Sequence, residues 1–207
     1  MVARFYVAFF GLKRYNDTES TFKGESPMKL LIASDLHGSA YYCRLLLDAF
    51  RWEQAERLVL LGDLLYHGPR NPLPEEYDTM AVTALLNSMA GQLFCVRGNC
   101  DSEVDQMVLH FPMLADSALL YADGKTIFAT HGHLHGPDNP PPLKQGDFLL
   151  CGHTHMPVRR ERGTFTYLNP GSLSLPKEGT PHSYMTLEDG VFTWHDLVTG
   201  EPFQPLD

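Results

Sequence analysis

Five short runs, most of them strongly apolar, each bring a metal-competent side chain to one end, and that repetition constrains the chain more than any other feature. The first is Leu30-Leu31-Ile32-Ala33-Ser34 leading to Asp35-Leu36-His37, and the second is Leu58-Val59-Leu60-Leu61 leading to Gly62-Asp63. Leu93-Phe94-Cys95-Val96-Arg97 leads to Gly98-Asn99-Cys100-Asp101. Two stretches that end on histidine follow, Thr130-His131-Gly132-His133 and Cys151-Gly152-His153-Thr154-His155. A continuously apolar run reads as a strand covered on both faces, whereas an alternating one reads as a half-exposed strand. The chain is therefore expected to bury several short strands whose ends converge on Asp, Asn and His.

The elements between these runs are consistent with such a core. Segment 29–34 is the first expected strand, Ala40–Trp52 a helix with Tyr42, Leu45, Leu46, Ala49 and Phe50 at a spacing of three and four, and 57–61 the second strand. That order implies a parallel pair joined by a right-handed crossover. Pro69, Pro72 and Pro74 make 67–74 a loop. Segment 77–90 is a second helix with Met80, Ala81, Ala84, Leu85 and Met89 as its apolar stripe, stopped at Gly91, and 92–96 is the third strand. Ser102 caps a short helix over 102–110. Beyond it the expected elements are strands over 118–122, 125–130, 147–151, 164–168, 184–187 and 191–195. Turn signals lie at Asp123-Gly124, Arg162-Gly163 and Asp189-Gly190. A βαβαβ half followed by a mostly β half predicts an α/β fold in four layers, two mixed sheets face to face with helices outside.

At 207 residues the chain suits one domain. Its formal net charge of −9 argues against non-specific nucleic-acid binding, which needs a basic face. No apolar run approaches the roughly 18 residues that span a bilayer. Cys43, Cys95, Cys100 and Cys151 form no Cys-x-x-Cys pair and read as small hydrophobes in a reducing, cytoplasmic compartment. In 1–27 the apolar part around Val7-Ala8-Phe9-Phe10 is short, interrupted by Gly11 and Lys13, and followed by no small-residue cleavage site. The folded domain is expected over 28–207, with 1–27 as a poorly ordered extension.

Asp35, His37, Asp63, Asn99, His131, His153 and His155 are three oxygen donors and four imidazoles. Such a mixed set suits Mn²⁺, Fe or Zn²⁺ rather than Ca²⁺ or a thiolate zinc site. Seven donors exceed the needs of one such ion and suffice for two that share a carboxylate, roughly 3.5–4 Å apart. Such a pair acidifies the water between its ions and accepts phosphoryl oxygens, so phosphate-ester hydrolysis is the expected reaction. His67 and Arg70, in the loop after Asp63, and His133, beside His131, are candidate substrate contacts; the alternative for each is a structural role. Asp101 either orients a ligand histidine or caps the following helix. Asn169-Pro170-Gly171-Ser172 reads as a turn first, with substrate contact by Asn169 or Ser172 as the alternative.

In order and spacing, Asp35-x-His37, Gly62-Asp63, Gly98-Asn99-x-Asp101, His131-Gly132-His133 and Gly152-His153-x-His155 resemble the signature of the calcineurin-like metallophosphoesterases. His67-Gly68-Pro69-Arg70-Asn71 and the run 96–107 resemble the YfcE-type bacterial phosphodiesterase branch. The resemblance implies two divalent ions, with Mn²⁺ favoured and Fe, Zn²⁺, Ni²⁺ or Co²⁺ as alternatives. Asp35, His37 and His155 would hold one ion; Asn99, His131 and His153 would hold the other; Asp63 would bridge them, and the bridging hydroxide would attack. Catalytic roles fall to Asp63, Asn99 and Cys100. At the Cys100 position most of the family carries a histidine that assists the leaving group, and losing an aligned general acid costs about 10²–10⁴ in rate. The branch with cysteine there acts on phosphodiesters, so the expected function is hydrolysis of small phosphodiesters. A phosphomonoesterase, or a non-catalytic binding module on the same fold, is the alternative. The expected partner is a small phosphodiester, with self-association open and no membrane contact.

Overall fold

A computed structural model describes residues 5–9, 28–122 and 124–207. The first half runs β1 (Phe5–Phe9), β2 (Leu30–Ala33), α1 (Ala40–Trp52), β3 (Arg57–Leu60), α2 (Thr79–Asn87), β4 (Leu93–Cys95) and α3 (Glu103–Val108). The second half is all strand: β5 (Ser117–Ala122), β6 (Lys125–Thr130), β7 (Asp147–Leu150), β8 (Pro157–Arg162), β9 (Phe165–Pro170), β10 (Ser183–Glu188), β11 (Val191–Asp196) and β12 (Pro202–Phe203).

Two six-stranded mixed sheets result, in the orders β12-β11-β10-β2-β3-β4 and β1-β5-β6-β7-β9-β8. In the first, β2, β3 and β4 are parallel, and β10 joins β2 antiparallel. In the second, β6, β7 and β9 are parallel. Alternate residues of one strand explain the unbroken apolar runs. Leu30 and Ile32 pack into the space between the sheets with Val59, Leu61, Ile127 and Leu150. Leu31 and Ala33 pack on the other side with Leu46, Phe50, Val82 and Leu86 of the helices. Both faces of β2 and β3 are thus covered, as a buried parallel pair requires. The outer face of the second sheet gathers Leu149, Cys151, Val158, Phe165 and Tyr167, with Leu143 and Met156 against them.

Capping chemistry sets the helix starts. Ser39 accepts from the Tyr42 N–H at the start of α1, and Asp78 from the Ala81 N–H at the start of α2. At α3, Ser102 and Asp105 form a reciprocal capping box, in line with the expected cap.

Three expectations differ from the structure. The fully buried residues of α2 are Val82 and Leu86, with Ala81, Leu85 and Met89 packed beside them, while Met80 is 83% exposed and Ala84 faces outward. The stripe is turned because α2 packs against α1, and Val82 and Leu86 enter the core shared with Leu46 and Phe50. Strand β8 was not anticipated: Arg159, Arg160, Glu161 and Arg162 disguise it, and such charge is what a sheet-edge strand carries against unwanted pairing. Phe5–Phe9, expected within a disordered extension, is a strand parallel to Ser117–Tyr121. The remainder of that extension, 1–4 and 10–27, and Asp123 of the first turn signal lie outside the described residues. Among the described residues, no helix is long and apolar enough to cross a membrane.

Candidate metal centre

Strands β2, β3, β4, β6 and β7 all release the chain on the same side, and the candidate donors stand just past those ends. Sites of open α/β sheets form at this carboxyl edge. Leaving the strands toward one point requires unusual backbone. Asp35 (φ 58°), His37 (51°), Asp63 (57°), His153 (68°) and His155 (64°) all adopt left-handed conformations. Each costs on the order of 1 kcal/mol or more and persists only where its surroundings enforce it. Five of the seven candidate donors carry this strain, which marks the site without reference to its chemistry.

The imidazoles are oriented from behind. His37 Nδ1 bonds the Tyr66 carbonyl at 2.9 Å, His131 Nδ1 the Leu61 carbonyl at 2.7 Å, and His155 Nδ1 the Leu175 carbonyl at 2.6 Å. A carbonyl only accepts, so each Nδ1 carries the proton and each Nε2 presents a lone pair inward. These lone pairs converge. His37 Nε2 and His155 Nε2 stand 3.3 Å apart, and Asp35 Oδ1 is 3.3 Å from the second and 3.7 Å from the first. Asp63 Oδ2 lies 3.8 Å from His37 Nε2 and 3.4 Å from His131 Nε2, and Asn99 Oδ1 is 3.1 Å from His131 Nε2.

Lone pairs meeting lone pairs and carboxylate oxygens in a buried space repel unless a cation or extra protons lie between them. Asp35 Oδ1 makes the same point alone: its side chain is fully buried, and this oxygen has no hydrogen-bond partner among the described residues. The donor set therefore fits divalent ions. Asp35, His37 and His155 form one cluster, and Asp35, Asp63 and His131 another, each with ligand atoms within 4.8 Å of one another.

Protonation follows from the same geometry. Burial disfavours the charged form of His37, His133 and His153, and it pushes His133 down to about 4. Burial alone would raise Asp35, but the adjacent imidazoles of His155, His131 and His37 bring it well below the usual carboxylate range. At His131 burial opposes charge, yet Asp63 and Asp35 raise it to about 9. That value expresses how strongly the two carboxylates attract a positive charge at this point.

The remaining expected residues divide. His153 donates its backbone N–H to Asp35 Oδ2 at 3.0 Å, and its ring centroid is 5.1 Å from that of His131. His133 has its ring 5.4 Å from His131 and 6.4 Å from His153, with a buried Nδ1 that has no hydrogen-bond partner among the described residues. His67 packs edge-on against the rings of Tyr66 and Tyr77, and Arg70 is exposed on the loop. Cys100 donates its backbone N–H to Asp63 Oδ1 at 2.8 Å, and burial with the Asp63 charge pushes its thiol up to about 12. The thiol is neutral at physiological pH and can act only as a weak donor.

Asp101 has neither of the roles expected of it; Ser102 is the helix cap. Its buried carboxylate accepts from the backbone N–H groups of Asp63 (2.8 Å), Leu64 (2.9 Å) and Gly98 (2.7 Å). It pins the loop after β3 to the loop after β4. Burial and the Asp63 charge raise its pKa to about 6, against the pull of those three donors. Gly98 must lack a side chain, since a Cβ there would lie 2.0 Å from Asp63 Oδ1. The 169–172 stretch also supports the site: Asn169 Nδ2 bonds the Gly152 carbonyl at 2.7 Å, and Ser172 Oγ donates to the Asp35 carbonyl at 2.9 Å. Sequence reasoning missed these supports because their partners are backbone atoms distant in the chain.

Fold, donor set and sequence agree on the class. Residues 28–189 match the calcineurin-like phosphoesterase superfamily domain, and the chain belongs to that family. Within it, the chain is 50% identical over 166 residues to phosphodiesterase YfcE of Escherichia coli (strain K12), covering 80% of this chain and 90% of that protein. The solved structure of YfcE, described as a phosphoesterase from E. coli, superposes with a TM-score of 0.83 at 47% identity, over 86% of this chain and 98% of the other. The probable metallophosphoesterase YsnB of Bacillus subtilis (strain 168) is 28% identical over 181 residues, 80% of this chain and 88% of that protein.

Proposed function

We propose that the protein is a two-metal phosphodiesterase that hydrolyses small phosphodiesters. The observation that carries this reading is the convergence of the His37, His131 and His155 Nε2 lone pairs on Asp35 and Asp63, a donor set that suits bound cations. The half-identical YfcE, called a phosphodiesterase, supplies the substrate class. Asp35, His37 and His155 would hold one ion, Asn99, His131 and His153 the other, with Asp63 between them; Mn²⁺ suits this set. When bound, two such ions polarise phosphoryl oxygens and acidify the water between them.

The chain's own residues do the positioning. The Cys100 N–H holds Asp63 Oδ1, so that Oδ2 faces both histidine clusters. The carbonyls of Tyr66, Leu61 and Leu175 keep the three imidazoles in a single tautomer. His133, neutral and beside His131 and His153, is the best-supported substrate contact and would donate to a phosphoryl oxygen. His67, packed against two tyrosine rings, shapes its loop instead. Arg70, exposed on that loop, supplies a guanidinium for the phosphate. The Cys100 thiol fills space and offers at most a weak hydrogen bond. Four unpaired cysteines, three of them buried, favour action in a reducing compartment such as the cytoplasm.

Turnover of bis(p-nitrophenyl) phosphate by chelator-stripped protein, before and after adding Mn²⁺, tests the reading. Activity is expected only after the ion is restored. Failure with every divalent ion tried, in protein that binds those ions, would leave a binding module on this fold.

A further inference from the structure

A cleft of about 630 Å³ opens between the start of α2 and α3, within the size range of small-ligand sites. Tyr66, Tyr77, Met80, Cys100, Val104 and Val108 give it an apolar lining. Two of its lining residues, Cys100 and Tyr66, also border the metal centre. Cys100 Sγ lies within 4.8 Å of ligand atoms of His37 and Asp63, and the Tyr66 carbonyl holds His37 Nδ1. Met80 and Val104 are 83% and 68% exposed, a poor use of apolar surface unless something covers it.

Two polar side chains of the cleft, Thr83 and Ser102, are turned to local partners. Thr83 Oγ1 donates to the Thr79 carbonyl, and Ser102 gives both its N–H and its hydroxyl to Asp105. Among the described residues no lysine or arginine lines the cleft, and the one carboxylate there, Asp105, disfavours a second anion. We propose that this cleft receives an uncharged, apolar ester group of the substrate, an aryl group above all, and that Met80 and Val104 set the preference. The inference rests on the phosphodiesterase reading and narrows it: diesters with apolar substituents are preferred over those carrying further charge.

The test compares diphenyl phosphate with dimethyl phosphate, monoanions that differ only in the groups offered to the cleft. Each is measured as a competitive inhibitor of bis(p-nitrophenyl) phosphate turnover, and by calorimetric titration of the Mn²⁺-loaded full chain. Diphenyl phosphate is expected to bind at least about 10-fold more tightly, the scale of burying one phenyl face. In the Met80→Ser, Val104→Ser double variant the ratio should fall to within about 3-fold, since both positions are exposed and the change removes only apolar contact. Equal affinities in the unchanged protein, or a ratio preserved in the variant, would overturn the proposal. So would a concentration-dependent mass that the variant abolishes without altering the ratio, which would make this face a contact between copies. Calorimetry reads the ratio without turnover, so failure of the phosphodiesterase reading is distinguishable from failure of this one.

Discussion

Asp63→Asn is expected to lower turnover of bis(p-nitrophenyl) phosphate by at least about 10²–10³-fold, the scale of losing one preorganised electrostatic contact to the transition state. The substitution is chosen so that little else changes. Asp63 sits at φ 57°, a conformation asparagine tolerates better than most residues. An asparagine oxygen can still accept the Cys100 N–H that Asp63 Oδ1 accepts. What disappears is the negative charge at Oδ2, 3.8 Å from His37 Nε2 and 3.4 Å from His131 Nε2. The unfolding transition should therefore stay close to that of the unchanged protein, with circular dichroism as the check on fold. Undiminished turnover in the metal-reconstituted variant would remove Asp63 from the mechanism.

Asp101→Ala should act on stability. It strips the acceptor from three backbone N–H groups in a carboxylate site that is 3% exposed. Each buried donor left unpaired costs about 1–3 kcal/mol. Part of that is offset, because the substitution also removes a buried charge whose pKa burial and Asp63 hold at about 6. The net expectation is a loss of about 2–4 kcal/mol, read as a lower urea midpoint at unchanged slope. Asp101→Asn keeps one acceptor oxygen and should lose less. Activity should fall as well, since the loops bearing Asp63 and Asn99 are released from each other. A midpoint equal to that of the unchanged protein would show that the clamp contributes nothing.

The two cases differ in how far the sequence revealed them. Asp63 was legible because a carboxylate after a continuously apolar run has little structural purpose at a buried strand end. The same logic found Asp35 and the histidines, and the strand–helix alternation gave the two-sheet architecture. Asp101 was not legible in its actual role, because its partners are backbone N–H groups, which every residue but proline has. Asn169 and Ser172 look like turn residues in sequence for the same reason, although both brace the strand ends that bear Asp35 and His153. Strand β8 hid behind its edge charges. Met80 misled in the opposite direction: helical spacing put it among buried residues, and only the packing of Val82 and Leu86 shows that it faces the cleft. Hydrophobic periodicity identifies an apolar residue but not whether protein or ligand is its neighbour.

In the proposed mechanism the converging Nε2 atoms and carboxylates hold two divalent ions. Anomalous diffraction from Mn²⁺-soaked crystals, with metal content counted per chain, locates and counts them. Two ions per chain are expected, one beside Asp35, His37 and His155 and one beside Asn99, His131 and His153, with Asp63 between them. Active protein in which manganese lies away from these side chains, or in which a single ion accounts for full turnover, would contradict that mechanism.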